Sequence, residues 1–320
     1  MKMPISALGW ETRETGYSGP SDMERKRQSM FGECHGHIFM NGVNYKDAVA
    51  RHKNGVDKEE VKKRLEEYRR SGISFFREGG DYLGVSSFAA EIAEDYGIDY
   101  RTPVFAIHKK GHYGSIVGLE YDTLPDFAAL VKKAGREGAD FIKIMFSGLL
   151  DFNTYGRITG TGLELSEMRE LVHICHEEGF SAMVHVNSAQ TVYDAIVSGA
   201  DSIEHGAYMT DRELELLAGR ETVWVPTVAP AGNLRGTGRF DEKTVDAIVR
   251  MQINNVRKAI VLGVHVALGS DAGAVTVPHC TGLFDEYKYL LEAADGDKER
   301  LDHVLARSED IVKRKFRRGY

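Results

Sequence analysis

The sequence predicts an α/β fold, a (β/α)8 TIM-type barrel, and three observations carry that expectation. From about residue 31 onward, short apolar runs alternate with amphipathic stretches, the rhythm of parallel strands joined by crossover helices. Eight such runs occur, the number that closes a barrel. Several of them, SGISFFREGG, EGADFIKIMFSG, EGFSAMVHVNS, SGADSIEHGA and LGVHVALGSDAG, open on a helix-terminating glycine and end in polar residues. In a barrel, the C-terminal ends of the strands form the rim where loops meet and chemistry is placed.

Residues 1–30 do not fit the alternation. Trp10, Tyr17 and the turn Ser18-Gly19-Pro20 read as an N-terminal arm, and residues 31–320 as the barrel. Expected strands cover 33–40, 74–78, 100–107, 141–146, 181–186, 202–204, 223–228 and 264–269. Between them, 57–70 reads as a helix with Asp57 as N-cap, Gly72 as terminator, and Val61, Leu65 and Tyr68 on its inner face. The stretch 166–178 repeats the pattern with Met168, Leu171, Val172 and Cys175 inward, and Thr210 with Glu213 forms a capping box for the next helix.

Composition narrows the partners. A chain of 320 residues, 42% of them apolar, can bury one large core without a linker. The formal charge of -7, from 48 acidic against 41 basic residues, disfavours nucleic acid and anionic lipid and leaves a small-molecule substrate. No apolar run is long enough to span a bilayer, and the first residues lack the apolar core of a signal peptide, so the expected location is cytoplasmic. Cys34, Cys175 and Cys280 have no CxxC spacing, which suits a reducing compartment. A homo-oligomer is compatible with these features.

Six residues carry the candidate chemistry. His35 and His37 stand two apart on a strand, so both imidazoles point to one side. Lys143 interrupts the apolar run Phe141-Ile142-Lys143-Ile144-Met145-Phe146, where an unpaired ammonium would cost several kcal/mol. Parity sets Phe141, Lys143 and Met145 on one face; a buried acid or the rim could also answer the charge. His185 in AMVHVNS, His205 in SIEHGA and Asp271 in ALGSDAG each end an apolar run, which would bring ligand-competent groups from five strands to one rim.

The ordered set HGH, FIKIMFSG, VHVNS, SIEHGA and LGSDAG resembles the amidohydrolase superfamily, above all its Xaa-Pro dipeptidase and imidazolonepropionase-like branch, over roughly residues 31–316. The resemblance implies two divalent metal ions, with zinc the first choice of metal. His35 and His37 would hold the more buried ion, His185 and His205 the more exposed one, and a CO2-derived carbamate on Lys143 would bridge both. Asp271 would complete the first site and shuttle a proton during hydrolysis of an amide-type C–N bond in a dipeptide, N-acyl amino acid or cyclic amide.

Candidate substrate contacts are His112 and Tyr113 after the third strand, His279 in VPHCTG, Arg77 ending the second strand, and Arg157 in the glycine-rich loop after Lys143. Either arginine could pair with a substrate carboxylate through a bidentate contact. That loop lacks the GK[ST] ending of a phosphate-binding loop. Cys34, directly before His35 where many relatives have Asp, reads as packing behind the ligands. The early position of His35 implies that the accessory β-sandwich of many relatives is lacking. Pro230 and Ala231 stand where peptidase relatives often carry a carbonyl-contacting tyrosine, which weighs against a dipeptidase. Two alternatives stay open: a mononuclear deaminase, although Val186-Asn187-Ser188 after His185 offers no proton-transferring glutamate, and a metal-binding or sensing barrel without turnover.

Overall fold

Helix signals in the sequence set the outer layer. The computed structural model describes residues 31–318, so the arm expected over 1–30 lies outside the described residues. Helices α1 to α11 span Tyr45–His52, Lys58–Arg70, Val85–Ile92, Leu124–Arg136, Leu165–Glu177, Ala189–Ser198, Asp211–Ala218, Ala229–Gly232, Glu242–Leu262, Thr281–Ala293 and Lys298–Lys315 in chain order. Asp57 caps α2 by accepting the Glu60 N–H at 3.2 Å, satisfying a donor that the first helical turn leaves free. Gly72 ends that helix at φ 73°, a conformation glycine adopts without a Cβ clash. Glu213 holds the start of α7 by accepting from Thr210 N at 2.8 Å and Thr210 Oγ1 at 2.6 Å.

Strands β1 to β9 are Glu33–Gly36, Phe75–Glu78, Asp99–Arg101, Ala106–Lys109, Gly118–Tyr121, Ile142–Met145, Ala182–Val186, Ser202–His205 and Val223–Val225. All pair in parallel, in the orders β1-β2-β3 and β5-β4-β6-β7-β8-β9. The segment 264–272 joins the two ends. On one side it bonds to β9 through Trp224 N to His265 O and Ala267 N to Trp224 O; on the other it bonds to β1 through Cys34 N to Leu268 O and Asp271 N to His35 O. This is the expected α/β barrel.

Three boundaries differ from expectation. The strand expected over 100–107 is divided into β3 and β4, because Pro103 has no N–H to donate and Val104 turns the chain at φ 66°. β5 was not anticipated; it pairs with the edge of β4 opposite β6. The last expected strand contributes single bridges and hydrogen bonds instead of a continuous ladder.

The parity read from the sequence sorts the interior. Phe141 faces inward with Cys34, Phe75 and Met183, and the end of α11 seals this layer from below with Val312 and Phe316. Ile142, Ile144 and Phe146 instead join the larger core between strands and helices. Each such side chain, fully buried, contributes about 1.5–3 kcal/mol. The inward layer makes an apolar floor beneath the site.

Candidate active site

At the opposite end, the strands open on a cavity of about 520 Å³. His35, His37, Lys143, His185, His205 and Asp271 all line it, so the structure brings the six expected ligands together. Two local devices aim them. β1 carries an extra residue, since Glu33 lies opposite Phe76 and Gly36 opposite Glu78, and this bulge admits Cys34 to the floor and its neighbour His35 to the cavity. Strand parity would turn His205 outward, following Ile203 in the outer core, but a φ of 68° swings it back; Asp271 has φ 60°.

His35 Nε2 and His37 Nε2 lie 3.7 and 3.5 Å from Asp271 Oδ1. These three residues offer ligand atoms within 4.8 Å of one another, a group able to hold a metal ion. The His185 and His205 rings stand 4.5 Å apart, and His205 is 5.1 Å from His35. Thr227 Oγ1 fixes His205 Nδ1 at 2.7 Å, and His185 Nε2 donates to the Gly148 carbonyl at 3.2 Å. Lys143 is only 1% exposed, yet among the described residues its Nζ has no hydrogen-bond partner, and neither has His37 Nδ1.

Burial, reinforced by neighbouring cationic groups, lowers the histidine pKa values, to about 3 for His37 and His185 and well below the usual range for His35 and His205. Neutral imidazole is the form that binds metal. Burial also disfavours charge on both Lys143 and Asp271, lowering the former and raising the latter against their mutual attraction. Neutral imidazoles, a carboxylate and an unpartnered buried amine form a donor set that fits divalent cations.

Beneath the cavity lies a second charged layer. Glu204 Oε2 accepts from His35 Nδ1 at 2.7 Å, while Arg77 Nη2 reaches both Glu204 oxygens at 2.9 and 3.1 Å. Arg77 also donates to the Cys34 carbonyl and to Ser202 Oγ, and its Cζ stacks 4.4 Å from the Phe316 ring centroid. This corrects the expectation for Arg77. Its strand parity points it at the floor, every donor group is engaged, and it is absent from the cavity wall.

The other expected substrate contacts divide. Tyr113 lines the cavity with its ring 5.1 Å from His185. His279 does not; it accepts from Tyr68 OH at 3.0 Å and donates to the Met40 carbonyl at 2.8 Å. His112 likewise lies off the wall, donating to the Thr161 carbonyl at 3.2 Å, and Arg157 extends along the surface beside Asp151. Cys34 packs in the floor as expected. Glu204, Arg239 and Gln252 were missed. Glu204 carries the same signal as Lys143, a charge inside an apolar strand, whereas the other two reach the cavity from a loop and a helix face.

A model of the amidohydrolase family matches residues 33–306. No curated protein sequence matches the chain. Among solved structures, an Xaa-Pro dipeptidase with methionine bound in its active site is similar at TM-score 0.72 and 18% identity, covering 90% of this chain and 77% of that one. Ochratoxinase from A. niger gives 0.71 at 18% identity, over 91% and 74% of the two chains. Molinate hydrolase gives 0.67 at 16%, over 89% and 73%. At such identities the likeness is one of fold.

Proposed function

This chain belongs to the amidohydrolase family and is a metal-dependent hydrolase of small molecules, and on that premise we propose that it cleaves an amide-type C–N bond with two divalent ions, zinc by preference, held in the rim cavity. One observation carries the proposal: four histidines and Asp271 line the same cavity as Lys143, whose buried Nζ has no hydrogen-bond partner among the described residues. CO2 added to the neutral amine, with loss of a proton to solvent, would give an anionic carbamate whose oxygens would serve as ligands for divalent ions. His35, His37 and Asp271 would hold the inner ion, His185 and His205 the outer one.

When bound, such ions act as Lewis acids that polarise the scissile carbonyl and lower the pKa of water. Asp271 takes the proton of the attacking water as the C–O bond forms, then delivers it to the departing nitrogen as the C–N bond breaks. His35 is held for its part by Glu204. Tyr113 closes one side of the cavity beside His185. No helix among the described residues is long and apolar enough to cross a membrane, which is compatible with the proposed cytoplasmic location.

Metal content per chain, measured in protein prepared with bicarbonate and without chelator, tests this reading beside Lys143→Ala. About two ions in the wild type, falling sharply in the variant, is the expected result. One ion or none, unchanged by the substitution, would sink the paired-metal mechanism.

A further inference from the structure

Outside the proposed ligands, the polar groups of the cavity wall are few, and they are unbalanced in charge. Among the described residues, Arg239 is the one lysine or arginine of that set; it is exposed, makes no ion pair with a described carboxylate, and its Cζ rests 5.5 Å from the Phe240 ring centroid. Asp151, the one wall carboxylate besides Asp271 among the described residues, accepts from Asn153 N at 2.9 Å and already has a cation beside it, Arg157 Nε at 3.7 Å. Gln252 of α9 is 3% exposed, and its Oε1 is buried without a hydrogen-bond partner among the described residues. A buried amide oxygen left unpaired costs about 1–3 kcal/mol, which a ligand donor would recover.

Most of the remaining wall is apolar. Met145 at the end of β6, Leu150 and Phe152 in the hairpin after it, and Leu234 and Phe240 in the loop leading to α9 contribute to it. The Phe152 and Phe240 rings meet at 5.4 Å, and Asp241 N donates to Asn153 Oδ1 at 3.2 Å, so the two segments form one continuous surface. The wall therefore offers an anion receptor, an N–H acceptor and a broad apolar face. Among the described residues, the one carboxylate it offers outside the proposed ligands, Asp151, already faces the Arg157 guanidinium.

We infer that the substrate is an N-acyl amino acid with a bulky apolar acyl group, its carboxylate on Arg239, its amide N–H on Gln252 Oε1 and its acyl group against the Phe152–Phe240 face. This rests on the hydrolase reading above and selects one member of the class it allows. A free dipeptide would bring an α-ammonium to a wall whose one carboxylate outside the proposed ligands already has Arg157 beside it, so the amine would be poorly compensated. A cyclic amide without a carboxylate would leave Arg239 unused. Blocking the amine with an acyl chain removes the first problem and fills the apolar face. Hydrolysis adds water across the amide and releases a fatty or aromatic carboxylate and a free amino acid.

The test uses the metal-loaded full chain and two kinds of probe. N-octanoyl-alanine reports turnover; N-(octylsulfonyl)alanine, which keeps the N–H, carboxylate and chain but has no scissile carbonyl, reports binding by calorimetry. Lengthening the acyl chain from acetyl to octanoyl should raise kcat/KM about two- to fourfold per methylene until the face is covered. Arg239→Gln should weaken the sulfonamide acid about tenfold or more and leave its carboxamide within about twofold. Gln252→Leu should weaken the same acid but not its N-methylated form. Equal or tighter binding of alanyl-alanine, or an Arg239→Gln variant that treats acid and carboxamide alike, overturns the assignment. Binding with the expected dependence but no turnover of N-octanoyl-alanine keeps the ligand assignment and overturns the hydrolase reading. Turnover indifferent to Arg239 does the reverse.

Discussion

A charge buried in a barrel needs an opposite charge or a ligand, and Glu204 and Lys143 are answered differently. Glu204 is satisfied within the protein by Arg77, Ser202 Oγ at 2.5 Å and His35. Lys143 is not. The bond from His35 Nδ1 to Glu204 leaves Nε2 directed toward Asp271, the orientation a ligand needs, and such partners behind metal-binding histidines are worth about 10–100-fold in affinity. Glu204→Gln should therefore lower metal affinity by about that factor, read by chelator competition. Urea unfolding should show a loss of a few kcal/mol, since Arg77 loses its charge partner in a dry interior. Unchanged metal affinity would mean that Glu204 does not position His35.

Strand geometry decides which of these residues could be read in advance. Period-two parity located Lys143 and Phe141 on the inner face, and the same parity, applied to SIEH, would have found Glu204. It failed where the backbone leaves the regular strand. The β1 bulge and the positive φ of His205 are set by contacts with neighbouring strands, not by local sequence. Arg77 was visible as a strand-end arginine, but its direction toward the floor depended on the register of β2. Arg239 and Gln252 depend on how a loop and α9 fold over the rim, a long-range event with no local mark. One glycine does carry such a mark. A Cβ on Gly269 would stand 2.8 Å from His35 N and 2.5 Å from Val225 Cγ1, so Gly269→Ala must push β1 or β9 away. We expect about 1–3 kcal/mol of destabilisation by thermal unfolding, with reduced metal binding. Wild-type stability in that variant would show that β1 can shift freely.

Across the whole molecule, the end of α11 is tied to the barrel by charge as well as by apolar packing. Asp201 bonds His176 of α5 at 2.8 Å and Lys315 of α11 at 2.9 Å, and its Oδ2 also accepts from Ala182 N. The bond to Asp201 raises the His176 pKa above 6.5; although burial opposes it, the His176 and Lys315 contacts hold Asp201 below 3.8. His176 therefore adds stability that is complete below pH 6.5 and lost as pH rises through its raised value. Asp201 adds stability present above pH 3.8 and lost as pH falls through its lowered one. The histidine is half exposed, so its share is at most about 1 kcal/mol. Melting curves from pH 6 to 9 should show a loss in the wild type that is absent in His176→Gln; equal slopes would remove His176 as the cause. The floor that this helix completes, with Phe316 beneath Arg77, also governs traffic. With the floor closed among the described residues, we expect the fragment of a cleaved molecule nearer the rim to depart first; that outer fragment, added in excess, should then hold the deeper one in place and slow each following cycle.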